Sequence, residues 1–227
     1  MYNNNRELWL SFIAIVLITI LYLFMYVTMG GVPPAREFFG HALGVIGFIL
    51  MVLTELLYSL RKRSRSARWG RMSTWLQFHI FTGLVGPYMV LLHTSWKFNG
   101  LAGLVTLLTV VIVASGFIGR YIYTAIPRSV DGVELEAVEL QQQMKALEIQ
   151  LESVKNTKSS KPEKYYAMEM KKIQKRQRGL ARQVASLATT RRMMALWHTL
   201  HIPIGMALFT AAFIHMAAAI YYATLLR

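Results

Sequence analysis

Six histidines, His41, His79, His93, His198, His201 and His215, are the side chains in this sequence best suited to chemistry. All lie in or at the edge of long apolar segments, where an ionisable group is costly and usually functional. Two intervals coincide: His79 to His93 and His201 to His215 each span fourteen residues. That is about four helical turns, so each pair shares one helix face with a rise of about 21 Å. The depths match as well, with His79 eight residues beyond Arg71 and His201 nine beyond Arg192. Two parallel helices side by side would set His79 opposite His201 and His93 opposite His215. Each facing pair then supplies two axial imidazoles to a flat macrocycle, since neutral imidazole is a good haem-iron ligand and an apolar bundle interior suits a porphyrin. A compact zinc or copper site fails on geometry, because ligands about 21 Å apart along a helix cannot meet at one ion. Zero cysteine removes disulfides, thiolate zinc, iron–sulfur ligation and covalent haem attachment.

A ring between helices needs room. Gly83 stands four residues after His79 and Gly205 four after His201, each on the ligand face one turn along, and Gly86 falls midway between His79 and His93. Glycine removes the side chain where a backbone must approach a ring. Small residues also promote close helix packing in membranes, which is the competing explanation. Pro87 and Pro203 lie within apolar segments, where membrane helices tolerate them.

The elements that must position these residues are membrane spans. A bilayer core of about 30 Å needs roughly 20 apolar residues as helix. Five segments qualify: 8–27, 38–60, 74–96, 101–123 and 195–226. With 55% hydrophobic and 16% charged residues, the 227-residue chain departs from a soluble domain, which carries about 25% charge. A net charge of +14 in a soluble protein would point to nucleic acid. Here the bases gather between apolar runs, so the expected partner is the lipid bilayer and not nucleic acid. Arg61, Lys62, Arg63, Arg65, Arg68 and Arg71 follow the second span, and fourteen more Lys or Arg fall in 127–194. The opposite ends hold only Arg36, Lys97 and Arg227. By the positive-inside rule the N-terminus is cytoplasmic and the C-terminus outside, so the third and fifth spans run parallel. The first span is too long for a signal-peptide core and reads as an uncleaved anchor. An integral protein of a bacterial inner membrane is the expectation.

Paired histidines on two spans with one span between them resemble the dihaem core of two groups. One is the cytochrome b subunit of quinol–cytochrome c reductases; the other is the ferric-reductase/NADPH-oxidase-type transmembrane domain, whose third and fifth spans carry the ligands. The resemblance rests on HIFTGLVGPYMVLLH and HIPIGMALFTAAFIH with the span between, about half the chain. It implies an inner haem b on His79 and His201 and an outer haem b on His93 and His215. The sequence departs from both groups: no sixth span, no nicotinamide or flavin module and no quinol-site motif follows, and no G-x-G-x-x-G opens a helix.

Other polar residues have competing readings. His41, near the outer end of the second span, could bind or deprotonate a quinol, ligate a third haem, or pair with Glu37. Glu55, at the cytoplasmic end of that span, either pairs with the basic loop or takes up protons. His198 has a poorer shared face with His215 and suits a propionate, a loop or water. Arg120, Arg191, Arg192 and Lys97 are either propionate partners or ordinary span-end anchors.

Between the fourth and fifth spans the composition changes. Val133, Ala137, Leu140, Met144, Leu147, Leu151 and Val154 alternate steps of four and three, as do Tyr166, Met170, Ile173, Gln177, Leu180, Val184 and Leu187. This is heptad patterning on two helices, joined by a turn around 156–162. Asp131, Glu134, Glu136, Glu139, Glu148 and Glu152 make the first arm acidic, and Lys171, Lys172, Lys175, Arg176, Arg178 and Arg182 make the second basic. The expectation is an all-α membrane bundle of five spans (residues 1–127 and 193–227) with a cytoplasmic antiparallel coiled-coil hairpin (128–192). Its expected function is transmembrane electron transfer through two b-type haems, exchanging electrons with quinone or with an iron–sulfur, flavin or multihaem partner subunit. The alternative is a haem-free membrane scaffold or sensor acting through the hairpin.

Overall fold

A computed structural model describes residues 5–63, 72–124, 137–156 and 163–224. Arg65, Arg68 and Arg71 of the basic loop, Asp131 to Glu136 at the expected start of the acidic arm, and residues 157–162, where a turn is expected, lie outside them. The elements are six helices: α1 Arg6–Thr28, α2 Phe38–Arg63, α3 Met72–His93, α4 Gly100–Thr124, α5 Ala137–Asn156 and α6 Glu163–Thr224. No strand occurs among the described residues. Five of these helices are long and apolar enough to cross a membrane.

Local chemistry sets the ends. After α1, Gly31 N–H donates to Tyr26 and Gly30 N–H to Val27, with Gly30 at φ +69°. That left-handed turn is the glycine-terminated cap common at helix C-termini. The third apolar segment, expected to run to Trp96, stops as helix at His93. Ser95 and Trp96 take φ of 49° and 61°, Trp96 N–H donates to Thr94 Oγ1 at 3.2 Å, and Ser95 Oγ donates to the Pro33 carbonyl at 2.6 Å. A turn tied to the α1–α2 loop therefore replaces the last expected helical turn.

Contacts divide the chain into two units, residues 1–117 with 200–227 and residues 118–199. In the first, α1 and α2 pack on α3. Tyr22, Leu43, Val85, Met89 and Leu92 form one buried cluster there. Met51, Val105, Leu208, Ala211 and Ala212 form a second, drawing on α2, α4 and the last part of α6, with Val90 of α3 against it. The α2–α3 crossing is close at Gly47 and Gly86, where a Cβ on residue 86 would sit 2.9 Å from the Gly47 carbonyl oxygen. Outward faces are apolar, with Leu17, Phe24, Phe117 and Met206 all more than half exposed. A soluble surface rarely presents such a band, and it is compatible with contact with a bilayer.

In the second unit, Leu147, Ile173, Leu180 and Leu187 are buried together, with Met144, Leu151, Val154 and Val184 against them. All eight belong to the two heptad registers. The last turns of α4 also group here, where the Trp197 indole fills the space a side chain on Gly119 would need. The basic arm and the fifth apolar segment, separated at 193 in the sequence reading, are one helix, Glu163–Thr224. Nothing between Gly179 and Pro203 breaks it: ARQVASLATTRRMMALWHTLHI offers neither glycine nor proline.

Candidate functional site

The fourteen-residue interval of α3 meets an equal interval on α2. His79 donates from Nδ1 to the Thr54 carbonyl at 3.1 Å, and His93 donates from Nδ1 to the Gly40 carbonyl at 2.7 Å. Thr54 and Gly40 are also fourteen residues apart, so antiparallel α2 presents one carbonyl at the level of each histidine. A carbonyl only accepts, so both imidazoles carry a proton on Nδ1. This is the arrangement of metal-ligating histidines, whose other ring nitrogen is held by a carbonyl, carboxylate or water.

The inner level is clamped further. Thr54 Oγ1 donates to Thr82 Oγ1 at 2.7 Å, and Thr82, 1% exposed, donates to Phe78 O at 2.9 Å. On α6, His201 Nδ1 shares a 3.0 Å hydrogen bond with Ser115 Oγ of α4, in which either group can donate. Thus His79 is held by α2 and His201 by α4. His201 and Gly205 line a cleft of about 400 Å³ with Val52, Glu55, Ile112 and Phe209. That volume is in the range of cofactor pockets, about 300–1,000 Å³. Glu55 also acts electrostatically on His79 and accepts a 3.1 Å hydrogen bond from Ser59. His79 and His201 therefore both lie at the level of residues 54–55 of α2.

The outer level gathers three histidines. The rings of His41 and His93 have centroids 6.5 Å apart at 68°, and His215 and His41 both act electrostatically on His93. His41 is exposed, and Glu37 meets it through the backbone, accepting the His41 N–H at 2.8 Å. Following His79 to His93 and His201 to His215, both segments pass from the level of Glu55 toward that of His41, the parallel sense read from loop charge.

The glycines separate. Gly86 sits on the Gly47 backbone, which favours helix crossing as its role. A Cβ on Gly83 would meet only Thr54 Cγ2 at 3.5 Å, and one on Gly205 only Ile112 Cδ1 at 3.8 Å, so neither glycine is demanded by the helix packing seen here. His198, in the other unit, has its ring 4.7 Å from that of Trp197. Arg191, Arg192 and Lys97 are exposed and Arg120 half-buried. Sequence reasoning did not single out Thr54, Gly40 and Ser115; a hydroxyl inside an apolar span was the one signal, and only for Ser115, since Thr54 and Gly40 accept through the backbone. Among the described residues no cluster of three or more His, Asp or Glu could hold a metal ion. No family model, curated protein or solved structure matches the chain.

Proposed function

We propose that the chain is a membrane electron carrier holding two b-type haems, the inner between His79 and His201 and the outer between His93 and His215. The observation that carries this reading is the α2 register: two backbone carbonyls fourteen residues apart hold the two α3 imidazoles through Nδ1. The repetition of that bond at two levels of one helix pair is what supports the haem reading. The cleft beside His201 and Gly205 supports the inner site.

Each haem, when bound, supplies a reversible one-electron couple. The protein's part is to orient imidazoles and surround them with apolar side chains. Thr54, Gly40 and Ser115 fix ring rotation and raise ligand basicity. Ile112 and Phe209, which line the cleft beside His201, supply the dry shell that tunes potential. The N-terminus and the α5–α6 arms lie in the cytoplasm of a bacterial inner-membrane protein, with the arms an antiparallel coiled coil that docks a redox subunit bearing iron–sulfur, flavin or multihaem centres. Quinone is the candidate exchange partner within the bilayer.

A pyridine haemochrome assay with haem counting on detergent-purified protein tests the proposal. About two b-type haems per chain are expected, and normal loading after His93→Ala and His201→Ala together defeats it. A second reading, a haem-free scaffold working through the arms, draws on the seam around Leu187, which is 2% exposed. A colourless protein from haem-replete cells that still binds a cytoplasmic partner would select it.

A further inference from the structure

We infer that Gly44 is a positioning residue for His93, an inference that rests on reading His93 as the outer haem ligand. A Cβ on residue 44 would lie 2.7 Å from His93 Cγ, 2.8 Å from Nδ1 and 2.9 Å from Cδ2. The imidazole thus occupies the space that any side chain at this position would fill. One turn earlier on α2 is the Gly40 carbonyl, which accepts from His93 Nδ1 at 2.7 Å. The two observations are linked. The ring reaches that carbonyl only by lying over the bare α carbon of Gly44, so a methyl there displaces the ring from its acceptor.

Losing the bond has a chemical consequence beyond crowding. The Gly40 carbonyl fixes the proton on Nδ1 and so the lone pair on Nε2; without it either tautomer is open. It also raises the basicity of the ring, which favours ferric iron. Displacement should therefore weaken the outer site and raise its potential, leaving the inner one alone. Gly47 is the matched control. It lies three residues along the same helix and is as tightly placed, its Cβ 2.8 Å from the Gly86 carbonyl oxygen and 3.0 Å from Met89 Cβ, but it faces no histidine.

The test begins with the full-length wild type, haem-depleted and labelled with ¹⁵N-histidine, with His93 assigned by its loss in His93→Gln. His93 is expected as the Nδ1–H tautomer, and Gly44→Ala is expected to lose it. Finding wild-type His93 protonated on Nε2 overturns the inference, whether or not the variant folds. In haem-replete protein, Gly44→Ala is expected to lower outer-haem affinity about 10–100-fold and to raise the outer midpoint potential, while Gly47→Ala leaves the ratio of the two haems unchanged. Two haems with unaltered potentials in Gly44→Ala, or the same outer-selective loss in Gly47→Ala, overturns it. A wild type that takes up no haem sinks the electron-carrier reading instead, and the tautomer result still decides how His93 is held.

Discussion

His93 Nδ1 lies 2.7 Å from the carbonyl oxygen of Gly40 on the neighbouring helix. Fourteen residues away on both helices, in opposite directions along the chain, His79 and Thr54 repeat the relation at 3.1 Å. The repeat follows from packing two α-helices antiparallel in register: equal intervals rise equally, about 21 Å for fourteen residues. Helix α2 therefore holds both α3 imidazoles, at heights fourteen residues apart.

Single ligand removals should divide by level. His79→Ala or His201→Ala is expected to abolish the inner haem, and His93→Ala or His215→Ala the outer, each taking the count from about two to about one per chain. His41→Ala should keep both. Redox titration of the remaining haem identifies which was lost, and loss of a haem in His41→Ala would make His41 a ligand in place of His215.

Gly83→Ala and Gly205→Ala separate the two explanations of those glycines. Their added methyls meet nothing closer than 3.5 Å and 3.8 Å in the fold, so helix packing is expected to survive, as read by thermal melting of the haem-free protein. If a porphyrin passes over them, haem loading falls in both. Unchanged loading would mean that no ring passes over these glycines.

Ser115→Ala removes the hydroxyl that meets His201 Nδ1 at 3.0 Å. Inner-haem affinity is expected to fall about 10–100-fold, the usual effect of losing such a partner. The outer haem should be untouched. Titration of haem into the depleted protein reads both affinities.

Thr82→Val leaves a shape of similar volume but removes the acceptor for Thr54 Oγ1 at 2.7 Å, at a site 1% exposed. Thr54 Oγ1 keeps the Leu50 carbonyl at 2.8 Å, so the expected loss is that of one hydrogen bond, about 0.5–1.5 kcal/mol, measured by denaturation in detergent. Thr82→Ser, which keeps the oxygen, should recover most of it.

Leu187→Ala empties a position only 2% exposed in the α5–α6 cluster. A destabilisation of about 2–5 kcal/mol is expected for such a truncation. Faster hydrogen exchange in Ala137–Asn156 would report it, and unchanged exchange would mean that α5 is held by something other than this seam.

The sequence alone determined the periodic features. Five apolar lengths, two heptad registers and two fourteen-residue histidine intervals are properties of spacing, and helix geometry turns spacing into a shared face without reference to any neighbour. Met144, Leu147, Leu151, Val154, Ile173, Leu180, Val184 and Leu187 of the heptads accordingly appear in the buried cluster. Only the tertiary structure decided what each imidazole touches. Gly40 and Thr54 act through backbone carbonyls, which every residue possesses and no residue type announces. Gly44 acts by lacking an atom just where another helix brings a ring. Gly86, placed on the ligand face by spacing, proved to lie against Gly47 because the crossing point of two helices depends on both sequences at once.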